Sequence, residues 1–361
     1  MNQHVKCFKS YNAMRLYLDK SNLVSFIKNA ESLGGELYQD CKRMIKRHLH
    51  VHYNFAKDEL SGADNLLMAW FLGNGTTGHG YGENTDTFLS CEYPNRPVKS
   101  NFLKERDVDD HMAVYLLDAD VSSLQKFNTV LIGGVGEEIA ILKHLVFADY
   151  SFHRLHDIQN KSEFSGWEQL DQQGDILPTS DILILDRYLF GGAKDIQEVD
   201  LENNLYTILG LYAKKNLQKI NIVFFCDGVR NSKVWSDRKS KIEKIFKKEN
   251  KNCAVRITFV FYAKSFPKDR YEEVRKLYPH DRILITNYRM LRSGDSFCYY
   301  NSKGDLITNG LHLDIDSLAN AQNYNYMKSI IQYSQTIYDD IKNLGNSDLI
   351  YGDKESNYIV F

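Results

Sequence analysis

Residues 279–297, PHDRILITNYRMLRSGDSF, contain residue types that chemistry on a phosphate ester requires. His280 and Arg282 lie two residues apart, and an apolar run carries the chain on to Asn287. Alternate side chains of a β-strand point to the same face, so one phosphate group can contact both His280 and Arg282. In such a site the His280 imidazole can act as a nucleophile and the Arg282 guanidinium can neutralise phosphate oxygens. The segment is equally compatible with a buried strand that begins with charged residues.

The order of these side chains is similar to the signature of phospholipase-D-type phosphodiesterases. That signature has a His, a Lys two residues later, an acidic residue that orients a His ring, and a small Gly/Ser turn beyond. Arg282 keeps the charge of the Lys in a forked geometry, whereas Asn287 lacks the charge of the acid. The candidate catalytic residues are His280, Arg282 and Asn287, and the candidate ligand-binding residues of the turn are Ser293 and Ser296.

A wider resemblance covers roughly residues 175–320. The segments DILILDRYLF, INIVFFCDG and HDRILITNYRMLRSGDSF resemble the phospholipase-D-like C-terminal domain attached to microtubule-interacting-and-trafficking modules. The pattern of that family has Asp-Pro-Tyr after the first strand, then His-Asp-Arg, then a Gly-rich turn. The matching positions are Asp186, Tyr188, His280, Asp281, Arg282 and Gly294, whereas Arg187 replaces the Pro and Asp295-Ser296 replaces the usual Gly-Leu.

The resemblance implies phosphate recognition, with ligand-binding roles for Asp186, Tyr188 and Asp281. Members of that family are single-half domains that dimerise, and the eukaryotic ones bind membrane phosphoinositides. Related bacterial proteins are suspected of roles in defence against phage. We therefore expect a cytoplasmic homodimer that engages a phosphodiester ligand, and nucleic acid is the ligand that we favour. Its expected role is that of an accessory or effector protein in bacterial defence, with a further protein partner in a defence complex. Cleavage would need the same residues of a second subunit, and the alternative is a non-catalytic docking protein.

Two further segments are candidates for ligand binding. The run KSKIEKIFKKENKN contains Lys244, Lys247 and Lys248, which would attract a polyanion if they flanked the His280 pocket. A solvated helix face is the alternative for this run. The loop GNGTTGHGYGEN carries His79 among five glycines, so it can approach a ligand closely or form a long hairpin tip.

Metal and cofactor sites are not predicted. Asp118 and Asp120 form a DxD at a strand end but have no identifiable third carboxylate, and the histidines of HLHVHYN fall on a predicted helix. The six cysteines contain no CxxC pair, which excludes zinc-ribbon and thioredoxin sites and favours reduced thiols in the cytoplasm. A net charge of −2 excludes a uniformly basic nucleic-acid coat but leaves a local basic patch possible. We expect no membrane span, because there is no apolar run of the required length.

Hydrophobic periodicity predicts the elements that position these residues. Apolar residues at i, i+3, i+4 and i+7 predict helices from Asn22 to about Glu59. Beyond residue 180, strand and helix patterns alternate, which predicts a largely parallel sheet, and a strand pair is predicted to turn at Arg-Ser-Gly-Asp, residues 292–295. The predicted fold is mixed α+β and α/β. It comprises a helical arm (1–60), an antiparallel β-rich domain (61–165), a phospholipase-D-like α/β domain (175–320) and a C-terminal helix and tail (321–361).

Overall fold

The computed structural model describes residues 14–18, 20–44, 48–53, 112–117, 129–133, 138–153, 164–190, 198–215, 217–226, 232–261, 282–307, 311–343 and 349–353. The chain forms two compact units that mix helices and strands. The first contains residues 1–148 and 317–324, and the second contains residues 149–316 and 325–361. The predicted boundary between domains lay further along the chain, at 165–175. None of the described helices is long and apolar enough to cross a membrane.

The first unit contains a four-stranded sheet in the order β2-β1-β3-β4. Its elements are β1 (Met14–Leu18), α1 (Lys20–Leu33), α2 (Gly35–Arg43), β2 (Leu49–Tyr53), β3 (Ala113–Leu117), β4 (Val130–Gly133) and α3 (Glu138–Phe147). Helices α1 and α2 both contact α3. Asp40 of α2 forms ion pairs with Arg43, at 2.7 Å, and with Lys143 of α3, at 2.6 Å, which fixes the helices to each other.

This sheet is parallel in each of its three strand pairs. Of the strands predicted near residues 61–134, the structure describes β3 and β4, and the prediction that they pair antiparallel is wrong. Long crossover connections separate its strands along the chain, and such connections bring strands back in the same direction. The predicted helix across residues 48–52 is also wrong, because Leu49–Tyr53 is strand β2. His48 lies just before that strand, with its Nδ1 3.4 Å from the Ala319 carbonyl oxygen and its ring edge-on to Phe147.

The second unit contains an eight-stranded sheet in the order β12-β8-β7-β6-β9-β10-β11-β5. Its strands are β5 (Asp149–His153), β6 (Asp181–Leu185), β7 (Lys219–Cys226), β8 (Ala254–Phe261), β9 (Arg282–Ile285), β10 (Arg289–Ser293), β11 (His312–Ser317) and β12 (Ile350–Gly352). Its helices are α4 (Glu168–Gln172), α5 (Glu198–Leu201), a π-helical turn (Glu202–Tyr206), α6 (Thr207–Ala213), α7 (Ser232–Glu249) and α8 (Ala321–Asn343), of which residues 321–324 fall in the first unit.

Strands β6, β7 and β8 are parallel to one another, in the alternating strand–helix order that the sequence predicts. All five side chains of β6 are buried, as a strand covered on both faces requires. Strand β9 runs antiparallel to β6, and β10 runs antiparallel to β9. The β9–β10 hairpin turns at Thr286-Asn287-Tyr288, so the prediction that residues 292–295 join the two strands of the pair is wrong. Arg292 and Ser293 belong to β10, and the chain turns again only after that strand ends.

Aromatic side chains attach α7 to the sheet and to the segment that follows β6. Trp235 of α7 packs against Phe259 of β8 at 4.9 Å between ring centroids, and Phe259 stacks on Phe224 of β7 at 5.0 Å. Phe190 lies against both Phe224, at 5.3 Å, and Trp235, at 5.2 Å. This cluster therefore fixes one end of the turn at residues 186–190.

The C-terminal helix α8 forms where periodicity predicts it. Asn320 caps its N-terminus, because the Asn320 Oδ1 accepts a hydrogen bond from the Gln322 amide at 2.9 Å. After α8, strand β12 pairs with β8 and ends at Gly352, whose φ is +106°. A Cβ at that position would lie 2.1 Å from the Ile257 carbonyl oxygen, so only glycine fits there.

Candidate functional site

The sheet register brings separated candidate residues together at one edge. Leu185 of β6 pairs with Ile283 of β9, so Asp186 follows next to Arg282. Arg282 in turn pairs with Ser293 of β10. This is the edge where the parallel strands β6, β7 and β8 end, and carboxyl ends of parallel strands are a common location for ligand sites.

The Asp186 carboxylate is buried and organises this edge. Its Oδ1 accepts a hydrogen bond from the Tyr188 amide at 2.9 Å. Its Oδ2 accepts one from the Ser296 hydroxyl at 2.6 Å and one from the Phe297 amide at 2.9 Å. Burial raises the pKa of Asp186, while these hydrogen bonds and the nearby Arg282 charge oppose the increase. Asp186 thus holds the turn after β6 against the turn after β10.

Tyr188 places an aromatic ring at the surface of this edge, with 42% of its area exposed. The Arg282 guanidinium carbon lies 5.2 Å from the ring centroid, and that of Arg187 lies 5.6 Å from it. These distances fall within the range of cation–π contacts. Arg282 also donates from Nη1 to the Gly294 carbonyl at 2.7 Å, which orients its side chain. We call Arg187, Tyr188 and Arg282 the guanidinium–tyrosine cluster.

Arg187 and Arg238 contribute to this edge although the sequence did not single them out as site residues. In the sequence, Arg187 stands out only as the residue that replaces the Pro of the Asp-Pro-Tyr pattern. Arg238, on the first half of α7, lies 4.9 Å from the Phe190 ring and 4.5 Å from the Trp235 ring. The signal available for Arg187 was its position directly before Tyr188 in DRYLF.

Ser293 and Ser296, predicted to bind ligand, face inward. The Ser293 side chain is fully buried, and its hydroxyl donates to the Asp295 carbonyl at 2.6 Å and contacts the Tyr299 hydroxyl. Ser296 is 8% exposed and its hydroxyl donates to Asp186. Both serines therefore support the turn that carries Gly294, the acceptor for Arg282.

Asn287 lies at the opposite edge of the sheet from Arg282. The two residues are five positions apart along and beyond β9, which corresponds to roughly 16 Å of extended chain. The Asn287 Oδ1 accepts hydrogen bonds from the amides of Ser180, at 3.1 Å, and Asp181, at 3.2 Å. Its side chain is 3% exposed and holds the β9–β10 turn to the start of β6. Asn287 and Arg282 therefore do not share one site, contrary to the predicted catalytic set.

Replacing Asn287 with Ala is expected to lower the free energy of unfolding by about 2–3 kcal/mol, because buried amides at 180 and 181 lose their acceptor. Urea denaturation followed by circular dichroism measures this change. Asn301→Ala is the matched control, since the Asn301 Oδ1 accepts amides within an exposed turn, those of Lys303 and Asp305. A variant at Asn287 as stable as the wild type would contradict the structural role.

The three candidate lysines lie on the second half of α7. Lys244, Lys247 and Lys248 are exposed, and Lys247 pairs with Glu243 at 3.8 Å. The helix ends near Asn250, whose Nδ2 donates to the Leu217 carbonyl just before β7 begins, so this half approaches the edge remote from Arg282. The lysines therefore do not lie beside the guanidinium–tyrosine cluster.

Some candidates lie outside the described residues, namely His79, His280 and Asp281. Within the described ranges, no group of three or more His, Cys, Asp or Glu side chains is arranged to hold a metal ion. No protein-family model matches the chain, and no curated protein is significantly similar to it in sequence. Functional assignment therefore rests on the geometry of the sheet edge.

Proposed function

We propose that this chain binds a phosphodiester-containing ligand, nucleic acid, at the edge formed by the ends of β6, β7 and β8. The observation that supports this most directly is the guanidinium–tyrosine cluster. Its ring is exposed at the surface, and two guanidinium groups lie within 5.6 Å of the ring centroid. Guanidinium groups suit phosphate oxygens because their planar fork can donate two parallel hydrogen bonds.

The buried acid at this edge is compatible with an anionic ligand. Asp186 is 1% exposed, and both of its oxygens accept hydrogen bonds from the protein. Its carboxylate therefore faces inward and does not line the surface that a phosphate would approach. Arg187 and Arg282 supply positive charge beside the exposed Tyr188 ring.

The proposal is for binding, and cleavage is a separate step. Cleavage by the phospholipase-D route would use the imidazole of His280, as the sequence predicts. His280→Ala is expected to remove any phosphodiesterase turnover while leaving oligonucleotide affinity within about twofold.

Replacing Arg282 with Ala is expected to weaken binding of a fluorescent oligonucleotide about tenfold at 50 mM salt. The variant loses one phosphate contact, so the slope of log affinity against log salt should fall by about one. Fluorescence anisotropy titrations at several salt concentrations measure both quantities. A circular dichroism melt should show little change, because Arg282 is half-buried and the Gly294 and Tyr188 residues that it contacts are exposed.

Lys247→Ala is the matched control, because it removes the same charge from an exposed position on the far half of α7. It should leave affinity within about twofold if binding is confined to the proposed edge. Equal losses for Arg282→Ala and Lys247→Ala would contradict a localised site. Absence of oligonucleotide binding at every salt concentration would contradict the proposed function and favour a protein-docking role.

A further inference from the structure

We propose that the guanidinium–tyrosine cluster recognises single-stranded rather than double-stranded nucleic acid, by stacking an unpaired base on Tyr188 and its flanking guanidinium groups. This inference rests on the proposed function and adds the class of nucleic acid and the contact that selects it.

The turn after β6 presents one aromatic ring outward. Leu189 and Phe190 of this turn are buried at 0% and 5% exposure, whereas Tyr188 is 42% exposed. The Phe190 ring packs against Phe224 and Trp235, so it anchors the turn to the sheet and to α7. Tyr188 is therefore held at the surface although neighbouring aromatic side chains enter the core.

The backbone at Tyr188 is fixed before any ligand arrives. Its amide donates to the Asp186 Oδ1 at 2.9 Å, and the Leu189 amide donates to the Asp186 carbonyl at 3.3 Å. A backbone that is already ordered loses little conformational freedom on binding, so more of the stacking energy contributes to affinity.

The neighbouring cations extend this surface. Arg282 and Arg187 lie over the ring, 5.2 and 5.6 Å from its centroid, so an incoming base meets guanidinium planes as well as the exposed part of the ring. Guanidinium planes stack on nucleobases as aromatic rings do. A guanidinium group is also a donor group suited to the phosphates of the same strand. A ring flanked by cations thus combines the two components of single-strand binding, a stacking platform and backbone neutralisation.

A duplex does not offer the same partner to this surface. Its bases are stacked on each other, so an exposed side chain meets phosphates and base edges, and reaching a base face would require unstacking. A phosphoinositide headgroup supplies phosphates but no planar base for Tyr188. The exposed ring therefore favours an unpaired strand over both.

The test compares three fluorescent ligands of equal length on the full chain: a single-stranded oligonucleotide of about 12 nucleotides, an abasic strand with the same phosphates, and a duplex. The wild type should bind the single strand about tenfold more tightly than the abasic strand or the duplex. Tyr188→Leu should lower single-strand affinity to the abasic value, and Tyr188→Phe should retain it, because stacking needs the ring and not the hydroxyl.

The outcomes separate this inference from the function on which it rests. Equal binding of abasic and base-containing strands, with Arg282→Ala weakening both, would overturn base stacking and leave phosphodiester binding intact. Tighter binding of the duplex would also overturn the inference. Absence of binding to all three ligands would overturn the proposed function itself, as would binding to phosphoinositide vesicles alone.

Discussion

Replacing Arg289 with Met is expected to lower the free energy of unfolding by about 3–5 kcal/mol, which is the usual cost of removing one partner from a buried ion pair. The Arg289 Nε donates to the Asp175 Oδ1 at 2.9 Å, and the two side chains are 0% and 1% exposed. Without Arg289 the buried Asp175 carboxylate would lose the guanidinium group that pairs with it. The pair joins the loop before β6 to the start of β10.

The surroundings of the Arg289–Asp175 pair explain why the loss of one partner lowers the stability of the fold. Burial lowers the pKa of Arg289, and the Asp175 charge opposes this decrease. The second Asp175 oxygen accepts a hydrogen bond from the Tyr150 hydroxyl. Burial and the same carboxylate raise the pKa of Tyr150, so Tyr150 stays a neutral donor. Arg289, Asp175 and Tyr150 therefore form part of a buried network in which the loss of one group leaves the others without their present partner.

Urea denaturation of Arg289→Met and of the double variant Asp175→Leu/Arg289→Met measures this dependence. The double variant should regain most of the lost stability, because apolar side chains of similar volume can replace a buried ion pair. Lys215→Met is the matched surface control. It breaks the Lys215–Asp171 pair at 2.6 Å, whose side chains are 29% and 34% exposed, and should cost less than about 1 kcal/mol. A double variant as unstable as Arg289→Met would contradict the account.

The strands and long helices of the second unit were predictable because their signal is local. The apolar runs of β6, β7 and β8 and the 3.6-residue periodicity of α8 are visible within short windows of sequence. The short motif resemblance groups Asp186, Tyr188 and Arg282 as residues of one site, and their role in ligand binding stays a prediction. The register of β9 against β6 then brings them to the same edge.

The errors arise where long-range contacts override local patterns. Arg-Ser-Gly-Asp at residues 292–295 has turn chemistry, yet the hairpin turns at Thr286-Asn287-Tyr288 because Asn287 bonds to residues 179–181, about a hundred positions away in sequence. The Arg289–Asp175 pair spans a similar separation. The direction of β3 relative to β4 depends on the path of the segment that connects them. Periodicity within a strand does not encode that path.

Replacing Asp186 with Ala is expected to lower the free energy of unfolding by about 3–5 kcal/mol and to weaken oligonucleotide binding at least as much as Arg282→Ala does. Three donors lose their acceptor: the Tyr188 amide, the Phe297 amide and the Ser296 hydroxyl. Each buried donor left unpaired costs about 1–3 kcal/mol, and partial access to water reduces the sum. The turn that carries Tyr188 would also lose its bond to the turn after β10.

Asp186→Asn and Ser296→Ala resolve this effect into its parts. An Asn amide has one acceptor oxygen, so it can accept from Tyr188 or from Phe297 but not from both, and an intermediate loss of stability is expected. Ser296→Ala removes one donor together with its bond and should cost only about 1 kcal/mol. An Asp186→Ala variant within about 1 kcal/mol of the wild type would contradict the role assigned to this carboxylate.

The pH dependence of stability tests the charge of Asp186 directly. Burial raises the pKa of Asp186 above its ordinary value of 3.8. Between pH 3.8 and the pKa of the folded state, the folded chain therefore retains a proton that the unfolded chain has released. The contribution of this group to stability is therefore complete below pH 3.8 and is lost as the pH rises through the folded pKa. Asp186→Asn has no such proton, so the stability difference between wild type and variant should narrow with rising pH across that window. A difference that widens would mean that the hydrogen bonds and Arg282 outweigh burial at this site.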